Sequence, residues 1–218
     1  AMATADQNTH LLDQASILAE RFSPRAADFD QARKLDQDAS DAMAEAGFYR
    51  LFVPEQLGGL EASPVVSAQI FERLAQGSAA CGWVAFIAAT SGSTLGSIPE
   101  ETARAIFTHP NTMVAGVFAP SGKAKVDAGQ VTVNGRWQWG SGTQNADWAL
   151  GGCMVDTGAE KPSQHMVLMP TSEVQFLDTW HVSGLQGTGS TDYEAVDLRR
   201  SEGPIVGVGG QRRPGRPL

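Results

Sequence analysis

The hydrophobic period of this chain changes once, at Pro110. Before it, apolar residues recur every three or four positions; after it, they alternate. Helices need the first period and strands the second, so the change divides the chain into a helical part and a β part. From His10 to Phe22, Leu11, Leu12, Ala15, Leu18, Ala19 and Phe22 share one stripe, which Pro24 stops. From Asp28 to Ala46, Phe29, Leu35, Ala39, Met43 and Ala46 predict a second helix, with Gly47 placed to finish it in a left-handed residue. Ser63 and Pro64 read as the cap and first-turn proline of a third, whose buried face is Val66, Ile70, Phe71 and Leu74 and whose end is Gly77. An uncharged helix over 80–95 comes next. Ser97 with Glu100 predicts a capping box opening a short helix to Phe107. Phe48 to Gly59 is too apolar for a free loop and is expected to pack across the helices.

Beyond Pro110, Met113–Ala119 is a short apolar run. Lys123–Trp139 alternates around a turn at Asp127–Ala128–Gly129, the pattern of a hairpin. Trp148–Val155, His165–Met169, Val174–Val182 and Tyr193–Leu198 are further strand candidates. Helices followed by strands exclude a βαβ alternation. The fold class is therefore α+β: an N-terminal α-helical domain over 1–110, then an antiparallel β-barrel or sandwich domain over 111–200. Residues 201–218, rich in Gly, Pro and Arg, read as a disordered tail.

Charge narrows the partners. The net charge is −8, and three of the sixteen cations, Arg212, Arg213 and Arg216, sit in the last seven residues. So acidic a body argues against nucleic acid and anionic membrane, both of which need basic faces; a small-molecule substrate fits better. Residues 80–98 carry no charge over about the length of a bilayer span. Gly, Ser and Thr fill eight of those nineteen positions, which favours a buried core helix. No basic segment followed by an apolar run opens the chain, so a cytoplasmic location is expected. Cys81 and Cys153 are far apart and read as buried, reduced thiols.

Several chemistries lack their residues. Gly184–Leu185–Gln186–Gly187–Thr188–Gly189 has its glycines in the wrong order for a dinucleotide fingerprint. No lysine follows a phosphate loop, and no serine sits in a nucleophile elbow. The four histidines are scattered, none at ligand spacing, so no metal site is expected; His181 reads as a partly buried, hydrogen-bonded ring. What remains is Arg136–Trp137–Gln138–Trp139–Gly140–Ser141–Gly142. In a strand Trp137 and Trp139 share a face. That pair is either core or a platform for a flat, conjugated ligand, with Ser141 and backbone N–H groups as hydrogen-bonding partners. Phe118–Ala119–Pro120–Ser121–Gly122 is placed to form a second wall.

Four segments together resemble the acyl-CoA dehydrogenase superfamily: Glu45–Ala46–Gly47–Phe48 with Val53–Pro54–Glu55–Gln56–Leu57–Gly58–Gly59; Gly116–Gly122; Asn134–Gly135 through Ala146–Asp147–Trp148; and Trp180–His181–Val182–Ser183–Gly184 with Gly187–Thr188–Gly189–Ser190. Where the dehydrogenases carry Thr–Glu–Pro, this chain has Phe118–Ala119–Pro120, and Arg136–Trp137–Gln138–Trp139–Gly140–Ser141–Gly142 replaces their lysine-bearing run. Both departures resemble the two-component flavin-dependent monooxygenases, which use reduced flavin from a separate reductase on aromatic or polycyclic substrates. Gln186 stands where that pattern has arginine.

The resemblance implies FAD or FMN as cofactor and a homo-oligomer. It places Val117 and Phe118 along the isoalloxazine, Trp139 packed against the ring, Gly140 admitting the backbone and Ser141 hydrogen-bonding near N5 and O4. Thr188 and Ser190 would face the phosphate–ribose tail or a partner subunit. It identifies no catalytic acid, base or nucleophile. It also implies a third, helical domain that closes the pocket, and the chain stops where that domain is expected. An acyl-CoA dehydrogenase proper and a non-catalytic binding module with the same fold stand as alternatives.

Overall fold

The computed structural model describes residues 5–158, 161–201 and 205–207, and within it the change of period at Pro110 separates helices from sheet. The helices are α1 (Ala5–Phe22), α2 (Ala26–Ala32), α3 (Gln37–Glu45), α4 (Pro64–Gly77), α5 (Ala79–Ser93) and α6 (Glu100–Ile106). Ser63 caps α4 by accepting from the Val66 N–H (3.2 Å), with Pro64 in the first turn, and Gly47 follows α3 at φ +79°; all three match their sequence signals.

Two expectations fail in this half. The helix expected over Asp28–Ala46 is two helices. Arg33 between them is left-handed (φ +54°), and its guanidinium is drawn to Asp178 (2.5 Å) and the Trp180 carbonyl (3.2 Å). Asp36 then starts α3 by accepting from the Ala39 N–H at 2.9 Å. The helical period breaks between the left-handed Arg33 and the Asp36 cap. Nor does Ser97 cap α6: it ends a 3-10 turn continuing α5, and α6 begins behind Pro99 with no side-chain cap.

The Phe48–Gly59 segment does pack across the helices, with Phe48, Leu51 and Val53 fully buried. Buried Arg50 ties it down by donating to the carbonyls of Gly58 (3.2 Å) and His109 (2.8 Å) while lying over the Phe107 ring.

The strands are β1 (Val114–Asp127), β2 (Gln130–Trp137), β3 (Trp148–Asp156), β4 (Ser163–Pro170), β5 (Gln175–Leu177), β6 (Asp192–Ser201) and β7 (Ile205–Gly207), in the order β5-β6-β2-β1-β3-β4-β7. The β1–β2 hairpin turns at Ala128 and Gly129, both at positive φ, as its two-residue loop requires. The sheet is mixed rather than wholly antiparallel. After β2 the chain crosses back over β1 and enters the far side as β3, so β1 and β3 run parallel while every other pairing is antiparallel. The run Met113–Ala119 and the first hairpin strand merge into one fourteen-residue β1 with a register shift between Val117 and Gly122. Of Val174–Val182 only three residues pair. Ile205–Gly207, expected in the tail, joins the sheet beside β4. The rest of the expected tail, 202–204 and 208–218, lies outside the described residues.

Trp137 organises the sheet's core. Its indole is fully buried, stacks on Tyr193 (centroids 5.3 Å apart, 20° between planes) and donates to the Gly152 carbonyl at 2.8 Å. A Cβ on Gly122 or Gly151 would fall 2.4 or 2.6 Å from the ring, so these positions stay glycine because the ring fills the space a side chain would need. Cys153 and Cys81 are buried free thiols, each pushed up to about 12 by desolvation, as expected of inert core cysteines. Ala79–Ser97 is long and apolar enough to cross a membrane by composition, but 56% of it is buried inside this fold.

Candidate functional site

The expected aromatic platform is only half present. β2 ends at Trp137, and Trp139 leaves the strand with φ +62°, so the two indoles do not share a face: Trp137 is 0% exposed and Trp139 is 70% exposed. Positive φ is a costly conformation for so bulky a residue. Buried Asp192 helps to hold it. One carboxylate oxygen accepts from the Trp139 N–H (3.4 Å), and the other accepts from Arg136 Nε (3.0 Å) and Nη2 (2.7 Å).

Gly140 follows, its N–H bonded to the Thr191 carbonyl (2.9 Å); a Cβ there would fall 2.7 Å from the Tyr193 ring. The same tyrosine reaches the other wall. Its hydroxyl accepts from the Val117 N–H (3.2 Å) and donates to the Leu150 carbonyl (2.6 Å). Tyr193 thus joins the Gly140 turn to the point where β1 changes register. Beyond that point Phe118 is 44% exposed, while Val117 is half-buried against the sheet core.

Ser141, Ser190 and Thr188 come together as a chain of hydroxyls. Ser141 Oγ lies 2.6 Å from Ser190 Oγ, which lies 2.6 Å from Thr188 Oγ1, and Thr188 donates to the Leu185 carbonyl at 2.8 Å. All three are buried. Thr188 and Ser190 thus bond within this chain, because the turn at Leu185–Gly189 folds back beneath Gly142, whose N–H bonds the Thr188 carbonyl (2.9 Å). The helical half anchors that turn: Asp30 accepts from the Gly187 N–H at 2.7 Å.

The sequence reading missed Trp83. Its indole N–H donates to Ser141 Oγ at 3.0 Å, joining α5 to the hydroxyl chain. Trp83 is 43% exposed and packs against half-exposed Phe86 (centroids 5.4 Å apart), which meets Phe71 at 5.6 Å. The signal was present: in an uncharged helix with buried Ala, Gly and Val on one face, Trp83 and Phe86 fall on the other. His181 takes no part. Its ring is more open than expected, 3.2 Å from Arg33 Nη1 and 3.3 Å from Asp178. Among the described residues no cluster of His, Cys, Asp and Glu could hold a metal.

A helical layer thus meets a mixed sheet, with open aromatics and a chain of hydroxyls at their junction. Residues 4–103 match the family described as acyl-CoA dehydrogenase, N-terminal domain. Over those residues the chain carries the N-terminal domain of the acyl-CoA dehydrogenase family. It is 34% identical over 186 residues to indole-3-acetate monooxygenase of Pseudomonas putida, covering 85% of this chain and 48% of that protein. It is 32% identical over 190 residues to the flavin-dependent monooxygenase oxygenase subunit HsaA of Rhodococcus jostii, covering 86% of this chain and 49% of the other. The crystal structure of 3-HSA hydroxylase from Rhodococcus sp. RHA1 superposes with a TM-score of 0.83 at 27% identity, over 90% of this chain and 52% of that one. The chain spans about half the length of the curated relatives it matches.

Proposed function

We propose that this chain is the helical and sheet portion of the oxygenase component of a flavin-dependent monooxygenase, which takes reduced FAD or FMN from a separate reductase and hydroxylates a small aromatic substrate. The observation that carries this reading is Trp139, an open indole held in a left-handed backbone immediately before a glycine and a buried hydroxyl. An exposed aromatic kept in a costly conformation is spent on binding rather than on packing. The relatives agree: their names describe monooxygenases and hydroxylases, including a resorcinol hydroxylase described as FADH(2)-dependent.

The residues fit a flavin. Trp139 and Phe118 offer exposed aromatic surface to a flat ring, Gly140 lets the backbone approach, and Ser141, two residues beyond Trp139, carries a hydroxyl. Val117 supports Phe118 through its bond to Tyr193. Reduced flavin supplies the two electrons that divide O2 between the substrate and water. The protein's own part is to bind and orient that group and to keep water from it. Trp83 and Phe86, open on α5 beside Ser141, offer a face to an aromatic substrate. Assembly as a cytoplasmic homo-oligomer belongs to the same reading.

Anaerobic titration of the purified chain with oxidised and reduced FAD and FMN tests it. Reduced flavin binds, and Trp139→Ala weakens that binding about fivefold or more, the worth of an aromatic contact. Unchanged affinity in that variant removes the ring from this site.

A further inference from the structure

The chain linking Trp83 to Leu185 has a direction. An indole N–H can only donate, so Ser141 Oγ accepts from Trp83 and cannot return its own proton there. At the far end a carbonyl can only accept, so Thr188 spends its one proton on Leu185. Thr188 Oγ1 must then accept from Ser190, and Ser190 Oγ must accept from Ser141. All four bonds form only in this order: Trp83 to Ser141 to Ser190 to Thr188 to Leu185. Reversing the three hydroxyls costs the bond between Thr188 and Leu185. In the favoured order the proton of Ser141 is committed inward, and what it offers a ligand is a lone pair.

Flavin's redox states differ at N5 of the ring, among other atoms. Oxidised flavin presents N5 as a bare acceptor, whereas reduced flavin carries a proton there and donates. We propose that Trp83, Ser190 and Thr188 are positioning residues that hold Ser141 as a hydrogen-bond acceptor and so select reduced flavin over oxidised. This rests on the flavin reading and on Ser141 meeting N5. It adds that redox preference is written into a chain of hydroxyls, two of whose members, Thr188 and Ser190, are buried and spend their hydroxyls within the chain. Polarised series of this kind act as units, because each bond fixes the direction of the next.

The test compares the ratio of oxidised to reduced dissociation constants, measured anaerobically by titration, in the wild-type chain and three variants. Thr188→Val keeps the shape and removes the terminal hydroxyl, so Ser190 loses its acceptor and the series loses its direction. The preference for reduced flavin falls about fivefold, the worth of one hydrogen bond. Thr188→Ser keeps the hydroxyl and restores the preference, which a merely structural role for Thr188 would not predict. Ser190→Ala frees the Ser141 proton to reach oxidised N5 and lowers the ratio as well; it serves as the second arm if Thr188→Val does not melt cooperatively. A ratio unchanged in both Thr188→Val and Ser190→Ala overturns the proposal and leaves the flavin site standing, as does a wild-type chain that binds both forms equally. A wild-type chain that binds neither form overturns the flavin reading itself and the proposal with it.

Discussion

Trp137 and Trp139 stand two residues apart and belong to different kinds of structure. Around Trp137 everything closes: the ring is sealed between glycines and Tyr193, and its one polar atom is bonded. Around Trp139 the chain stays open, with an indole in solvent, a left-handed backbone and a carboxylate holding it there. The first arrangement lowers the free energy of folding. The second raises it locally, and the sealed core beside it supplies the excess. Tyr193 links the two, with its ring in the core and its edge beneath Gly140.

The sharpest way to break this contrast is Trp137→Ala. It empties a fully packed space and leaves the Gly152 carbonyl without its donor, a loss of about 3–5 kcal/mol. A thermal melt that loses its cooperative transition, or shifts down by on the order of 10 °C, is the expected result. A midpoint within a degree or two would mean the sheet core does not rest on this ring.

Asp192→Ala ranks next. It removes a buried carboxylate from under Trp139 and leaves Arg136, itself half exposed and free to rehydrate, so about 2 kcal/mol is lost rather than the larger cost of stranding a buried charge. Flavin affinity falls in the same variant because the Trp139 turn loses its anchor. Loss of stability with binding intact would separate Asp192 from the site. Trp83→Phe is smaller still. It deletes one hydrogen bond to Ser141 and keeps the aromatic ring, and denaturant melts should register about 1 kcal/mol. No change in the midpoint would show that Ser141 replaces the indole with water.

The division into helices and sheet was legible because a change of period reports burial directly, and burial decides both halves. The caps at Ser63 and Gly47 were legible because they are local. The break at Arg33 was not, since it rests on one positive φ that the residue type does not announce. The parallel pairing of β1 and β3 was hidden for a related reason: alternation shows that a strand exists but not which neighbour it takes. Of the residues named from sequence as flavin contacts, Val117 and Gly140 meet at Tyr193, and Ser141, Thr188 and Ser190 share the hydroxyl chain. The error over Trp137 and Trp139 came from extending strand periodicity past Trp137. A single positive φ turns the second indole out, and nothing in the residue types announces it. Trp83 escaped because its role depends on a contact between two halves read separately.

The smallest effect on folding is the most telling for the comparison. Trp139→Gly removes an open side chain whose burial contributes little and puts at φ +62° the one residue that occupies it without a steric cost. Relief of backbone strain, of order 1–2 kcal/mol, opposes the greater freedom glycine gives the unfolded chain, about 0.5–1 kcal/mol. The melting midpoint should therefore stay where it is or rise slightly, while reduced-flavin affinity drops severalfold in the same sample. Opposite movement of the two readouts is what a residue kept for binding at the expense of folding predicts. A fall in both would make Trp139 a packing residue like its neighbour two positions earlier, and the contrast between core and rim would close.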